Sequence, residues 1–269
     1  MKNLTILLAL LMTLSSPVAA QDFQKGGTAY KAGEYATALQ EWTPLAEAGD
    51  ALAQFFLGHM YRNGNGVPQD YAEAVKWYRL AADQGFANAY VGLGSFYYGG
   101  KGVLQDYAEA VKWFRLAADQ GEAKAQYNLG IMYYGGKGVL QDYAEAVKWF
   151  RLAADQGEAR AQYNLGAMYG TGQSVLQDYA EAVKWYRLAA EQGSADAQLN
   201  LGARYEYGEG VLQDNVMAHM WYNIASANGA DKAGERRDER AGLMTSADIS
   251  KAQTMARECM NSGYKKCGY

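Results

Sequence analysis

Cysteine, histidine and proline are scarce in this chain of 269 residues, which holds 2, 2 and 3 of them. Two cysteines are too few for a fold built on disulfides. The histidines, His59 and His219, are far apart in the sequence, so the roughly four Cys or His ligands of a structural zinc site are lacking as well. Positive charge is also in short supply. Lys and Arg number 25 against 29 Asp and Glu, a net charge of −4, and a mildly acidic surface does not attract phosphate backbones or anionic lipid. Nucleic acid is therefore not an expected partner. The 31 glycines show no Gly-X-Y period, and 49% hydrophobic residues are too many for a disordered chain.

Catalytic signatures are missing too. There is no nucleophile elbow, P-loop, Rossmann glycine pattern or H-E-x-x-H. The glycine strings Gly99 to Gly102 and Gly135 to Gly138 follow helical patterns and precede Val-Leu-Gln-Asp, the context of a turn and not of a phosphate cradle. Ser262 and Lys265 match S-x-x-K, but neither S-D-N nor K-T-G accompanies them. No cofactor or metal is expected.

The N-terminus has Lys2, an apolar run from Leu4 to Leu14, and Val18-Ala19-Ala20 before Gln21. That is the pattern of a secretory signal peptide over residues 1–20, not of a buried helix, with a mature chain from Gln21. The run falls short of the roughly 20 residues of a membrane span. In an exported chain the close pair Cys259 and Cys267 is expected to form a disulfide that pins the C-terminal tail.

What is present is periodic. Trp77, Trp113, Trp149, Trp185 and Trp221 recur every 36 residues, so the chain is an array of repeats. A degenerate unit over 21–50 precedes full units at 51–86, 87–122, 123–158, 159–194 and 195–230, and 231–269 follows as capping helices with the disulfide tail. In each unit a first helix carries the stripe Ala53, Gln54, Leu57, Gly58 and Tyr61, spaced for one buried face. Glycines from Gly64 end it. Asp70 and Glu73 then predict a capping box opening a second helix lined by Ala74, Trp77, Tyr78, Ala81 and Ala82, with Gly85 as its stop. The ring of Trp77 is expected to fill the space between helices. Thr245 and Asp248 predict a cap for the final helix. The charge run Glu235 to Arg240 is expected to be a solvated face.

The string A-x-A-Q-x-x-L-G-x-x-Y-x-x-G-x-G-V-x-Q-D-Y-x-x-A-x-x-W-Y/F-x-x-A-A-x-Q-G resembles the Sel-like repeat, a branch of the tetratricopeptide superfamily. Ser174 departs from it, standing where other units keep Gly66, Gly102, Gly138 or Gly210. The resemblance implies an all-α, right-handed solenoid of helical hairpins whose first helices line a concave groove. It also implies an exported bacterial protein, periplasmic or secreted, that binds other proteins. Cysteine-rich relatives bind or hydrolyse β-lactams, but their cysteine pair per repeat is absent here.

Packing makes repeats alike, so positions that differ between copies are those it leaves free. On the first helix these are 52, 56, 59 and 63 and their equivalents. They give the row Asn128, Asn164, Asn200, whose amides both donate and accept and so suit the backbone of an extended peptide. Phe96, Met132 and Met168 are expected to add apolar contact, and Lys124 and Arg160 a positive spot for a carboxylate. The expected function is a non-catalytic, monomeric scaffold holding a protein or peptide in this groove; the alternatives are a β-lactam-directed enzyme and a structural cell-envelope scaffold. Tyr97 to Glu122 is identical to Tyr133 to Glu158, the mark of a recent duplication.

Overall fold

A computed structural model describes residues 22–268; the expected signal peptide and its junction at Gln21 lie outside them. The described residues form helices joined by turns and fall into two compact units, one ending at Phe86 and one beginning at Ala87. The first unit holds α1 (Phe23–Lys31), α2 (Tyr35–Glu47), α3 (Ala51–Asn63) and α4 (Tyr71–Asp83). The second holds α5 (Ala87–Gly99), α6 (Tyr107–Asp119), α7 (Ala123–Gly135), α8 (Tyr143–Asp155), α9 (Ala159–Thr171), α10 (Tyr179–Ala190), α11 (Ala195–Tyr207) and α12 (Asn215–Ala227), then α13 (Ala233–Ala241) and α14 (Ser246–Asn261). Consecutive helices pair as hairpins and each hairpin packs on the next within its unit.

Local chemistry sets the helix ends. The Asp70 carboxylate accepts from the N–H groups of Ala72 and Glu73 at 2.9 Å, and Asp106, Asp142, Asp178 and Asp214 cap their helices likewise. The capping box is only half formed. Glu73 does not reach back to Asp70, because the Asp70 N–H already donates to the Tyr61 carbonyl at 2.9 Å and Glu73 pairs with Lys76 at 2.6 Å. Thr245 caps α14, its hydroxyl accepting from Asp248 N–H at 3.2 Å.

Small residues let helices close on one another. A Cβ on Gly130 would lie 2.5 Å from the Phe150 ring, and on Gly58 2.7 Å from Tyr78. The ring facing the glycine within each hairpin is thus Tyr78 or its equivalent, while the Trp77 ring packs between helices as expected, against the core of α1, α2 and α3. Trp77 is half-buried beside it, while Trp185 and Trp221, its equivalents in α10 and α12, are buried.

Buried amides at Gln54, Gln126, Gln162 and Gln198 bridge their hairpins to the ones before them, while Tyr90 holds the equivalent place in α5. Gln126 donates to the Ala118 carbonyl at 3.3 Å and accepts from Gln156 at 2.8 Å, and Gln162 and Gln198 repeat the pattern. These partners satisfy polar groups that are costly to bury unpaired. Arg187 on α10 likewise donates to the Tyr205 hydroxyl on α11 at 2.7 Å.

At the C-terminus, Cys259 and Cys267 form the expected disulfide, packed with Ala252 and Ala256 of α14 and Met217 of α12. The run Glu235 to Arg240 is more than a solvated face. Arg240 and Arg236, one helical turn apart, lie 3.3 and 3.6 Å from Glu206 of α11. Glu206 stands where earlier units carry Arg62, Tyr98, Tyr134 and Gly170.

Candidate functional site

Two hollows of the same design lie one repeat apart in the second unit, between successive first helices. The first encloses about 260 Å³. Ser95 and Tyr98 of α5 form one wall, Tyr127, Asn128 and Ile131 of α7 the other, with Phe114 and Met132 beneath. The second encloses about 280 Å³ between Ile131 and Tyr134 of α7 and Tyr163, Asn164, Ala167 and Thr171 of α9, over Phe150 and Met168. Ile131 borders both and so divides them.

The residues expected from the sequence distribute unequally over this geometry. Asn128 and Met132 meet in the first hollow, and Asn164 and Met168 in the second. The methionines sit deeper than a flank, at 1% and 2% exposure, because the first-helix stripe and the ring of the second helix close over them. Phe96 is buried and lines neither hollow. Lys124 and Arg160 are exposed outside both. The charge of Arg160 is offset by Glu158 at 2.7 Å, and its guanidinium lies 4.3 Å from the Tyr127 ring centre, so the positive spot reduces chiefly to Lys124. Asn200 borders neither of these two hollows and donates to the Asp196 carbonyl at 3.0 Å.

The asparagines differ in what occupies their amides. Burial raises the Tyr127 phenol, opposed first by the Arg160 charge and less by hydrogen bonding from Asn164. Burial also raises Tyr163, which Asn200 serves in the same way. Asn164 and Asn200 thus each lie near a tyrosine of the preceding repeat. Asn128 has no such partner among the described residues, since Val91 stands where Tyr127 and Tyr163 stand. Its amide opens into a hollow that is otherwise aromatic and aliphatic apart from Ser95, whose hydroxyl donates to the Val91 carbonyl at 2.8 Å.

Tyr98, Tyr127, Tyr134 and Tyr163, with Phe114, Phe150 and Gln173, are the lining residues that sequence reasoning missed. The signal was present: the position shared by Phe55, Val91, Tyr127, Tyr163 and Leu199 also varies between copies. It lies on the shoulder of the helix, at the edge of the buried stripe, where variation is less diagnostic than on the outward face.

Chemistry beyond binding finds little here. The Ser262 hydroxyl donates to the Cys259 carbonyl at 2.7 Å and accepts from the Lys265 and Lys266 N–H groups at 3.1 and 3.0 Å, so it serves a turn. Among the described residues, no group of three or more His, Cys, Asp or Glu is placed to hold a metal, and no helix is long and apolar enough to cross a membrane.

Comparison with known proteins places this architecture. The Sel1 repeat model matches residues 51–86, 87–122, 123–158, 159–194 and 195–229. A Sel1 repeat protein from Oxalobacter formigenes has 33% identity and a TM-score of 0.77 over 88% of this chain and 100% of that one. A protective antigen of uropathogenic Escherichia coli strains, displaying an SLR fold, has 34% identity and a TM-score of 0.76 over 90% of this chain. This chain spans 57% of that antigen's length. An immunity protein from Pseudomonas aeruginosa, at 20% identity and a TM-score of 0.51 over 78% of this chain and 84% of that one, shares the fold. No curated protein matches. With five repeats matched and the hairpin architecture shared along most of its length, this chain belongs to the Sel1 repeat family.

Proposed function

We propose that this protein is an exported, non-catalytic scaffold that holds a protein or peptide segment across the two first-helix hollows of its second unit. The observation that carries the reading is the Asn128 amide, which has no side-chain partner in a mainly aromatic and aliphatic hollow whose Ser95 hydroxyl is taken by the Val91 carbonyl. A peptide backbone needs both a donor and an acceptor, which one amide provides, and the hollows beside it accept apolar side chains. Two hollows divided by Ile131 suit a ligand with two anchors, and Lys124, exposed on α7 one helical turn before Asn128, suits a carboxylate. The buried methionines form an apolar floor that adapts to the anchor above it. Export to the periplasm or the medium is supported by the N-terminal pattern and by the disulfide, which suits an oxidising compartment outside the cytoplasm. Sel1 repeat relatives are scaffolds, and the structural role of the Ser262 hydroxyl speaks against the β-lactam alternative.

The test is capture of partners from cell-envelope extract by the purified chain, compared with Asn128→Leu, Ile131→Trp and Lys124→Glu. Capture is expected to fall with each variant while the helical melting curve stays in place. Undiminished capture by Ile131→Trp, which narrows the space at the residue bordering both hollows, overturns the assignment.

A further inference from the structure

We propose that the loop edge of the second unit is a homodimer interface, closed by a second copy of this chain in antiparallel register. Leu104, Leu140, Leu176 and Leu212 occupy the same position in four successive loops and are 90, 90, 92 and 90% exposed. A single exposed leucine requires no explanation, but an aligned row of them does. The row also stops at the unit boundary, since Pro68 holds the equivalent place in the first unit.

The loops present these side chains on a fixed frame. In each Val-Leu-Gln-Asp segment the valine turns inward, as Val139, Val175 and Val211 do against their core clusters. The glutamine folds back onto the preceding helix: Gln105, Gln141, Gln177 and Gln213 donate to the carbonyls of Tyr98, Tyr134, Gly170 and Glu206 at 2.8 to 2.9 Å. The aspartate caps the next helix. Three of the four residues are thus used by the fold and the leucine is not. Duplication accounts for Leu104 and Leu140 being alike, but Leu176 and Leu212 follow Gln173-Ser174 and Glu209-Gly210, loops that have otherwise diverged.

The residues three places before the leucines select a second copy as the occupant. They read Lys101, Lys137, Gln173 and Glu209 along the row. A two-fold axis between the second and third loops sets Lys101 against Glu209 of the other copy, and Lys137 against its Gln173. Leu104 then meets Leu212, and Leu140 meets Leu176. Parallel stacking would set lysine on lysine. The pairing is possible beside the contacts these side chains already make, Lys137 with Tyr98 and Glu209 with Arg204. Area agrees with a modest dimer: four leucines at this exposure offer roughly 600 Å², against roughly 800 Å² per partner in a standard interface. An anionic membrane suits the row less well, because four capping aspartates and Glu209 accompany its two lysines. This departs from the monomer expected on sequence grounds.

Sedimentation velocity of the full chain over a micromolar concentration series tests the proposal. A dimer is expected, and Leu140→Ser with Leu176→Ser is expected to weaken it by about tenfold or more with unchanged helical circular dichroism, since neither side chain packs in the fold. Lys101→Glu is expected to weaken it and Lys101→Glu with Glu209→Lys to restore it. On oxidation, Leu140→Cys with Leu176→Cys is expected to give a covalent dimer and Leu140→Cys alone to give none. A chain that stays monomeric, a dimer indifferent to the leucine changes, or cross-linking by Leu140→Cys alone overturns it. So does leucine-dependent pelleting with phosphatidylcholine vesicles by a monomer.

Discussion

The Tyr222 hydroxyl donates to the Glu206 carboxylate at 2.5 Å. Glu206 is only 3% exposed, and its other oxygen faces Arg240 and Arg236. One side chain of α11 thereby joins α12 within the last full hairpin and ties α13 to that hairpin. A carboxylate is tolerated at this depth because each oxygen has a charged or hydrogen-bonding partner. Burial is also the first cause, ahead of Glu206 itself, of a Tyr222 phenol held well above its ordinary range. Glu206→Ala removes the acceptor of the Tyr222 phenol and of the Arg240 guanidinium, and leaves Arg236 to Glu239 and the Tyr207 hydroxyl. A loss of about 2–4 kcal/mol is expected in urea unfolding, with Tyr222→Phe costing about 1 kcal/mol. An unchanged urea midpoint for Glu206→Ala would show that the clamp holds nothing.

Ser174 takes a positive φ of 59° where the equivalent Gly138 has 71°. A left-handed backbone strains any residue with a Cβ, and a Cβ on Gly138 would also lie 2.3 Å from the Tyr107 backbone. The two positions are therefore expected to respond in opposite directions. Ser174→Gly is expected to raise stability by about 0.5–1 kcal/mol, and Gly138→Ser to lower it by about 1–3 kcal/mol. Melting temperatures of the two variants check both signs; a destabilised Ser174→Gly would mean that the serine hydroxyl contributes more than its strain costs.

Much of this architecture was legible because repetition exposes it. A helix of fixed period, a glycine stop and an aspartate cap each appear several times, and chance does not repeat them in register. Features that cross from one repeat to the next were harder to see. Tyr78 and Trp77 are adjacent aromatics about 100° apart on one helix, so periodicity could not say which ring meets Gly58. The Glu73 arm of the capping box fails because the Tyr61 carbonyl, a tertiary partner, already holds the Asp70 N–H. Asn164 and Asn128 look identical in sequence, yet Tyr127 lies near Asn164 while Val91 holds the equivalent place for Asn128. The Glu206 clamp joins a repeat position to a helix outside the array, where comparison between copies has nothing to compare.

Both histidines are held below their ordinary range, and burial is the first cause for each. The Tyr30 hydroxyl is 3.0 Å from His59 Nδ1, and His219 is 2% exposed on α12 with Arg237 adding repulsion. A depressed folded pKa means that the unfolded chain binds the proton more tightly. Stability is then fully present above the unfolded value of about 6.5 and falls as pH drops through it toward the folded value. The melting temperature is expected to decline between about pH 7 and 5.5, before most carboxylates titrate. His59→Gln with His219→Gln is expected to flatten that slope, whatever its effect on the plateau. A slope of the same size in the double variant would assign the titration to other groups.

Cys259 and Cys267 close an eight-residue separation at the end of the array, and both side chains are buried against α12 and α14. Opening the bond releases about 2–3 kcal/mol of constraint on the unfolded tail. In a repeat array each element rests mainly on its neighbours, so this loss is expected to stay local. Under reductant, trypsin is expected to cut faster after the exposed Lys251 and Arg257 of α14, while most of the helical circular dichroism persists. The same cleavage pattern is expected from Cys267→Ser without reductant. Collapse of the whole helical signal on reduction would mean that the terminal helices stabilise hairpins they do not touch, contrary to nearest-neighbour coupling.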